Sequence, residues 1–156
     1  MLSTGALAPA IRLPDLNGDI RTLGEALKDG PVLLVFFKIS CPTCQLTFPF
    51  LQRLADEGFS ASPQLIAISQ DDIPGSREFQ ERFGVSMPTL IDAARTFPAS
   101  NAYRIASVPS LFLIEPDGKI SAALEGFNKA ALQKLGERFH VAPFRETDSV
   151  PDSRPG

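Results

Sequence analysis

The chain holds two cysteines, and they stand three positions apart in Cys41-Pro42-Thr43-Cys44. On a helical turn, residues i and i+3 are neighbours, close enough to join in a disulfide without moving the backbone. The chemistry open to such a pair is thiol–disulfide exchange. One thiolate attacks a disulfide sulfur, and the second thiol resolves the mixed disulfide that forms. His140 is the one histidine and there is no third cysteine, so counting excludes a four-ligand Cys/His zinc site. A scaffold stapled by several disulfides is excluded in the same way. No other metal set is expected either.

Such a pair needs an element to present it. The residues before it, Val32–Phe37, read Val-Leu-Leu-Val-Phe-Phe, apolar on both faces, which suits a buried parallel strand covered by helices. The residues after it carry Leu46, Phe50, Leu51 and Leu54 at helical spacing, which predicts a helix over Pro42–Glu57 stopped by Gly58. Pro42 costs nothing at the first helical position, whereas Pro49 inside the pattern predicts a kink. Cys41 then lies at a helix N-terminus, where unpaired N–H groups favour a thiolate and hence a nucleophile. Cys44, one turn in, is better buried and suits the resolving role.

Further along, Gln64–Ser69 reads as a second strand and residues 74–83 as a helix with Phe79 and Phe83 on one face. Residues 111–114 form a third apolar run. Pro116-Asp117-Gly118 predicts a tight turn into a strand over 119–124. Asn128 can cap a last helix ending near Phe139, with Leu132, Leu135 and Phe139 inward. The order strand, helix, strand, helix, hairpin, helix gives an α/β domain. Its central sheet is mixed, with one parallel crossover and one antiparallel pair, and is flanked by helices.

Composition agrees with a single domain. Of 156 residues, 44% are hydrophobic and 21% charged, enough apolar content for a packed core. Fifteen Lys and Arg stand against 18 Asp and Glu, a net charge of −3, which offers no basic surface for nucleic acid or anionic membranes. No run approaches 18 apolar residues, and residues 1–9 lack the basic and apolar regions of a signal peptide. The chain is expected to be cytoplasmic as it stands; an exported domain with its leader removed is the alternative. A structured domain is expected over residues 5–140. Residues 141–156, with Pro143, Pro151 and Pro155 among polar residues, read as a flexible or surface-draped C-terminal tail. A monomer is expected, since the core assignments leave no apolar face over.

The motifs together resemble the thioredoxin-like fold, and within it the TlpA/ResA-type redoxins related to the AhpC/TSA proteins. Ala8-Pro9 and Leu13-Pro14-Asp15-Leu16-Asn17-Gly18 resemble the opening segment of that branch. Val35-Phe36-Phe37-Lys38-Ile39-Ser40 before the cysteine pair, and Phe48-Pro49 after it, resemble its active-site strand and helix. Tyr103-Arg104-Ile105, Val108-Pro109-Ser110-Leu111 and Pro116-Asp117-Gly118 resemble its closing half. The resemblance implies a thiol–disulfide oxidoreductase with Cys41 as nucleophile and Cys44 as resolving thiol. It also implies a cis Val108–Pro109 bond opposite the pair. Proline tolerates cis and has no N–H to crowd the sulfur, and the Val108 backbone could then pair with an extended substrate. Protein dithiols or disulfides would be the substrates, with an outside thiol as donor or acceptor. No cofactor is implied beyond the disulfide that Cys41 and Cys44 can form.

The chain departs from that pattern at three positions. Ser40 replaces the usual tryptophan before the first cysteine. Thr47 and Val35 stand where the two branches of the superfamily place a buried carboxylate, so a specialised cytochrome-maturation role is not implied. Pro42 and Thr43 form the spacer, and Lys38 could favour the thiolate if it folds toward the site. Two other readings stand beside this one. A thiol-dependent peroxidase of the peroxiredoxin type would have Thr and Pro three and seven residues before its cysteine, where this chain has Lys38 and Leu34. A non-enzymatic redox-sensing or metal-carrying module would bind metal at the reduced pair without exchange. Asp71 and Asp72 read as loop and cap residues, His140 as a helix-end residue, and Tyr103 as packed with its hydroxyl near the surface.

Overall fold

The computed structural model describes residues 1–92 and 95–156. The chain opens with a short hairpin of β1 (Arg12–Pro14) and β2 (Ile20–Thr22). Thr22 then caps α1 (Leu23–Leu27), its hydroxyl oxygen accepting the Glu25 N–H. β3 (Val32–Phe37), α2 (Pro42–Glu57), β4 (Gln64–Ser69) and α3 (Ile73–Phe83) follow. Next come β5 (Thr89–Ile91), α4 (Pro98–Ala102), β6 (Ser110–Ile114) and β7 (Ile120–Glu125). The chain closes with β8 (Phe127–Asn128), α5 (Lys129–Phe139) and β9 (Ser153–Arg154).

The central sheet has the order β5-β4-β3-β6-β7. β3 pairs parallel with β4 and antiparallel with β6, and β6 pairs antiparallel with β7. This is the mixed, helix-flanked sheet that the sequence pattern predicts. β3 is its middle strand, which explains why all six of its residues are buried. Alternate residues face opposite ways. Leu33, Val35 and Phe37 join the core beneath α2 and α5, with Phe48, Leu51, Leu54 and Leu135. Val32, Leu34 and Phe36 join the other core, with Ile11, Leu23 and Tyr103.

Each long helix starts where its sequence signal lies. Asp72 caps α3 by accepting the Gly75 N–H at 2.9 Å, and Asn128 caps α5 by accepting the Ala131 N–H at 2.9 Å. Gly58 caps the end of α2, and His140 caps the end of α5. Tyr103 departs from its expectation. Its ring is fully buried between Phe36 and Phe112, and its hydroxyl donates to the Pro9 carbonyl at 2.7 Å. That backbone acceptor lets the polar end stay inside rather than reach solvent.

Candidate active site

Strand β3 ends at Phe37, and five residues later the chain enters α2. In an open sheet, the ends of parallel strands point loops into the crevice where ligands bind. Lys38, Ile39 and Ser40 cross that edge. Two hydrogen bonds fix the crossing: the Asp71 carboxylate accepts the Ile39 N–H at 2.8 Å, and the Gln45 side-chain amide donates to the Ile39 carbonyl at 3.0 Å. The Cys41 N–H donates to the Lys38 carbonyl at 3.1 Å and closes the turn.

Cys41 is the N-cap of α2, with Pro42 in the first turn. Its sulfur accepts the Cys44 N–H at 3.2 Å, so it occupies the place a cap oxygen takes in other helices. The same sulfur donates its proton to the Val108 carbonyl at 3.3 Å. Cys41 is half-buried and Cys44 fully buried, both as free thiols. Burial pushes the Cys44 thiol far above the ordinary cysteine range, and a hydrogen bond with Cys41 adds to the rise. A hydrogen bond from the Lys38 backbone partly offsets it, and the Asp71 charge adds a smaller upward push. The two sulfurs therefore differ in access and in the cost of ionising Cys44.

Opposite the pair stands the Val108–Pro109 loop, and that bond is cis, as the resemblance implies. The Pro109 carbonyl accepts the Gly126 N–H at 2.8 Å, and the Ser110 hydroxyl donates to the Ser107 carbonyl at 2.7 Å. These bonds fix the loop against the sheet so that the Val108 carbonyl meets Cys41. Val108 packs against both cores.

The remaining candidates sort clearly. Thr43 is buried, and its hydroxyl donates to the Pro155 carbonyl at 2.7 Å. Lys38 projects an exposed side chain and reaches the site through its backbone. Thr47 is buried and donates its hydroxyl to the Thr43 carbonyl at 2.6 Å, closing the position where a carboxylate was wanting. His140 lies at the end of α5 and stacks on Phe59, away from the sulfurs. Asp72 is a cap, but Asp71 is more than a loop residue. It ties the turn before Cys41 to the end of β4, and the sequence signal was its place just past a parallel strand. Among the described residues, no cluster of three or more His, Cys, Asp or Glu is arranged to hold a metal.

The AhpC/TSA family matches residues 4–123. The chain is similar to the thiol-disulfide oxidoreductase ResA of Bacillus subtilis, 29% identical over 126 residues, covering 80% of this chain and 69% of that protein. It is similar in structure to the thioredoxin domain of a thiol-disulfide oxidoreductase from Bacteroides vulgatus. There the TM-score is 0.74 at 26% identity, covering 89% of this chain and 99% of that one. It also shares its fold with peroxidoxin BcpB from Mycobacterium tuberculosis, with a TM-score of 0.75 at 24% identity over 90% of this chain and 97% of the other. With a cysteine pair at the strand–helix junction and a cis-proline loop facing it, the chain belongs to the AhpC/TSA family, as a thioredoxin-like redoxin of the ResA type.

Proposed function

We infer that the protein is a thiol–disulfide oxidoreductase that exchanges its Cys41–Cys44 dithiol with disulfides of protein substrates. The observation that carries the reading is the asymmetry of the pair: a half-buried Cys41 sulfur between the Cys44 N–H and the Val108 carbonyl, beside a sealed Cys44. In the reducing direction the Cys41 thiolate attacks a substrate disulfide. The substrate S–S bond breaks, one substrate thiolate leaves, and a mixed disulfide remains. Cys44 then gives up its proton and attacks the Cys41 sulfur. The Cys41–Cys44 bond forms, the second substrate thiolate leaves, and two electrons have passed to the substrate. An outside thiol restores the dithiol, because the chain has no third cysteine to do so. The reverse sequence oxidises a substrate dithiol. Val108 and Pro109 shape the groove in which the substrate backbone lies, and the cycle uses no cofactor beyond the two sulfurs.

The working unit is a single chain. In support, the exposed large apolar side chains among the described residues, Leu7, Ile20 and Phe59, lie in three separate segments. No helix among the described residues is long and apolar enough to cross a membrane.

Turbidimetric reduction of insulin, with an external dithiol as electron source, tests the function. Wild-type protein should accelerate it and Cys41→Ser should not rise above the dithiol alone. Undiminished activity in Cys41→Ser would remove Cys41 from the mechanism. Rapid peroxide consumption in place of disulfide reduction would make the protein a peroxidase.

A further inference from the structure

After α5 the chain does not leave the domain. Arg53 on α2 holds the returning segment with three hydrogen bonds. Its guanidinium donates to the Pro143 carbonyl at 3.0 Å and to both oxygens of Asp148, at 2.7 and 3.1 Å. A two-point arginine–carboxylate grip of this kind fixes direction as well as position. Phe144 packs against Phe50, with ring centres 4.7 Å apart, and Val150 packs against the same core. Residues 143–150 are therefore fastened to the face of α2.

Residues 151–156 continue from that anchor to the sulfurs. The Asp152 carbonyl accepts the Lys129 N–H at 2.9 Å, and β9 pairs antiparallel with β8, Arg154 opposite Phe127. At Gly126 a Cβ would come within 2.7 Å of the Arg154 carbonyl, so the backbones run in close contact there. The Pro155 carbonyl accepts the hydroxyl of Thr43, one of the two residues between the cysteines. Gly156 then presses on Val108: a Cβ at that position would overlap the Val108 carbonyl, the same carbonyl that accepts the Cys41 thiol. An extended segment thus lies across the cis-proline loop and the cysteine turn.

We propose that residues 151–156 act as an internal strap that fills the substrate groove, and that an extended substrate segment must displace it to reach Cys41. The proposal rests on the oxidoreductase reading for the identity of the competitor. Two segments cannot lie on Val108 at once, so a strap there competes with any substrate backbone that pairs with it. The hold is light where it must open. All six residues are exposed, and the contacts are a two-residue ladder and a few hydrogen bonds, each individually weak in net terms. The anchor contacts of Phe144 and Asp148 lie before the strap, so lifting the strap need not break them. A groove that is open only part of the time binds substrate more weakly by that fraction.

Two readouts test the strap. The reduced protein is compared with a full-length variant whose residues 151–156 are replaced by Gly and Ser, and with Asp148→Asn, which loosens the anchor. Thermal unfolding should confirm that both variants are folded. Alkylation of Cys41 by a bulky maleimide should be several-fold faster in the replaced variant and intermediate in Asp148→Asn. The KM for a disulfide-containing peptide should fall several-fold with kcat unchanged. Equal alkylation rates and equal KM in folded variants would overturn the strap while leaving the oxidoreductase reading intact. Faster alkylation without exchange activity in any form would keep the strap and remove that reading.

Discussion

The two sulfurs are three residues apart and occupy different physical worlds. Cys41 is half-buried, whereas Cys44 has no exposed surface. Burial holds the Cys44 proton, with the Cys41 hydrogen bond acting the same way. The consequence is a stability that depends on redox state and on pH. A group whose pKa is raised in the folded state stabilises the fold fully below its unfolded value, about 8.5 for a free thiol. Above that pH the unfolded chain releases the proton while folded Cys44 retains it, so stability falls. Urea unfolding of the reduced protein should show a midpoint that declines as pH rises through about 9. Cys44→Ala should flatten the decline; an equal decline in that variant would place the cause elsewhere. The direction of this asymmetry was legible: the spacing and the strand–helix junction mark Cys41 as the more exposed partner and Cys44, one turn in, as the better buried one. That Cys44 is sealed in one core with Phe48 and Phe79 is a tertiary fact.

At the scale of elements, the active-site turn is held from a neighbouring strand. Asp71 reaches from the end of β4 to the Ile39 N–H, 32 residues away in sequence. A hydrogen bond to a charged group contributes about 1.5–3 kcal/mol, and removing the acceptor leaves a part-buried N–H unpaired. Asp71→Ala should therefore lower stability by about 1–3 kcal/mol in urea unfolding, while Asp72→Ala, a helix cap, should cost about 0.5–2 kcal/mol. Only the first should also slow exchange, because only Asp71 orients the turn that carries Cys41. Equal exchange rates in the two variants would show that Ile39 needs no such tether. The long elements were legible because each carried a strong local signal: Val32–Phe37 is apolar on both faces, and Asp72 and Asn128 precede helical periodicity. The short ones were not. β1, β5, β8 and β9 have three residues or fewer, too few for a period to register, and they exist through their partners. The tether made by Asp71 was not legible either: its place past a parallel strand was visible, but its partner Ile39 lies 32 residues away on another loop.

For the whole molecule, the sheet order β5-β4-β3-β6-β7 brings the ends of β3 and β4 beside the loop before β6. That topology places Cys41, at the start of α2, against Val108, 67 residues later in the chain. The resemblance to redoxins anticipated this meeting; local periodicity could not, because nothing within either segment records the other. With two cysteines in all, the molecule can store one pair of electrons, and the proposed cycle exchanges them with an outside thiol donor or acceptor. The order of events within that cycle is the central claim: substrate joins Cys41 first, and Cys44 releases it. Mass spectrometry of the trapped mixed disulfide tests this directly. Reduced Cys44→Ser protein, mixed with two peptides joined by one disulfide, should accumulate an adduct of one peptide on Cys41 while the other leaves as its thiol. Cys41→Ser should form little adduct, its remaining thiol being buried. Equal adduct on Cys44 in Cys41→Ser, or none on Cys41 in Cys44→Ser, would contradict the account.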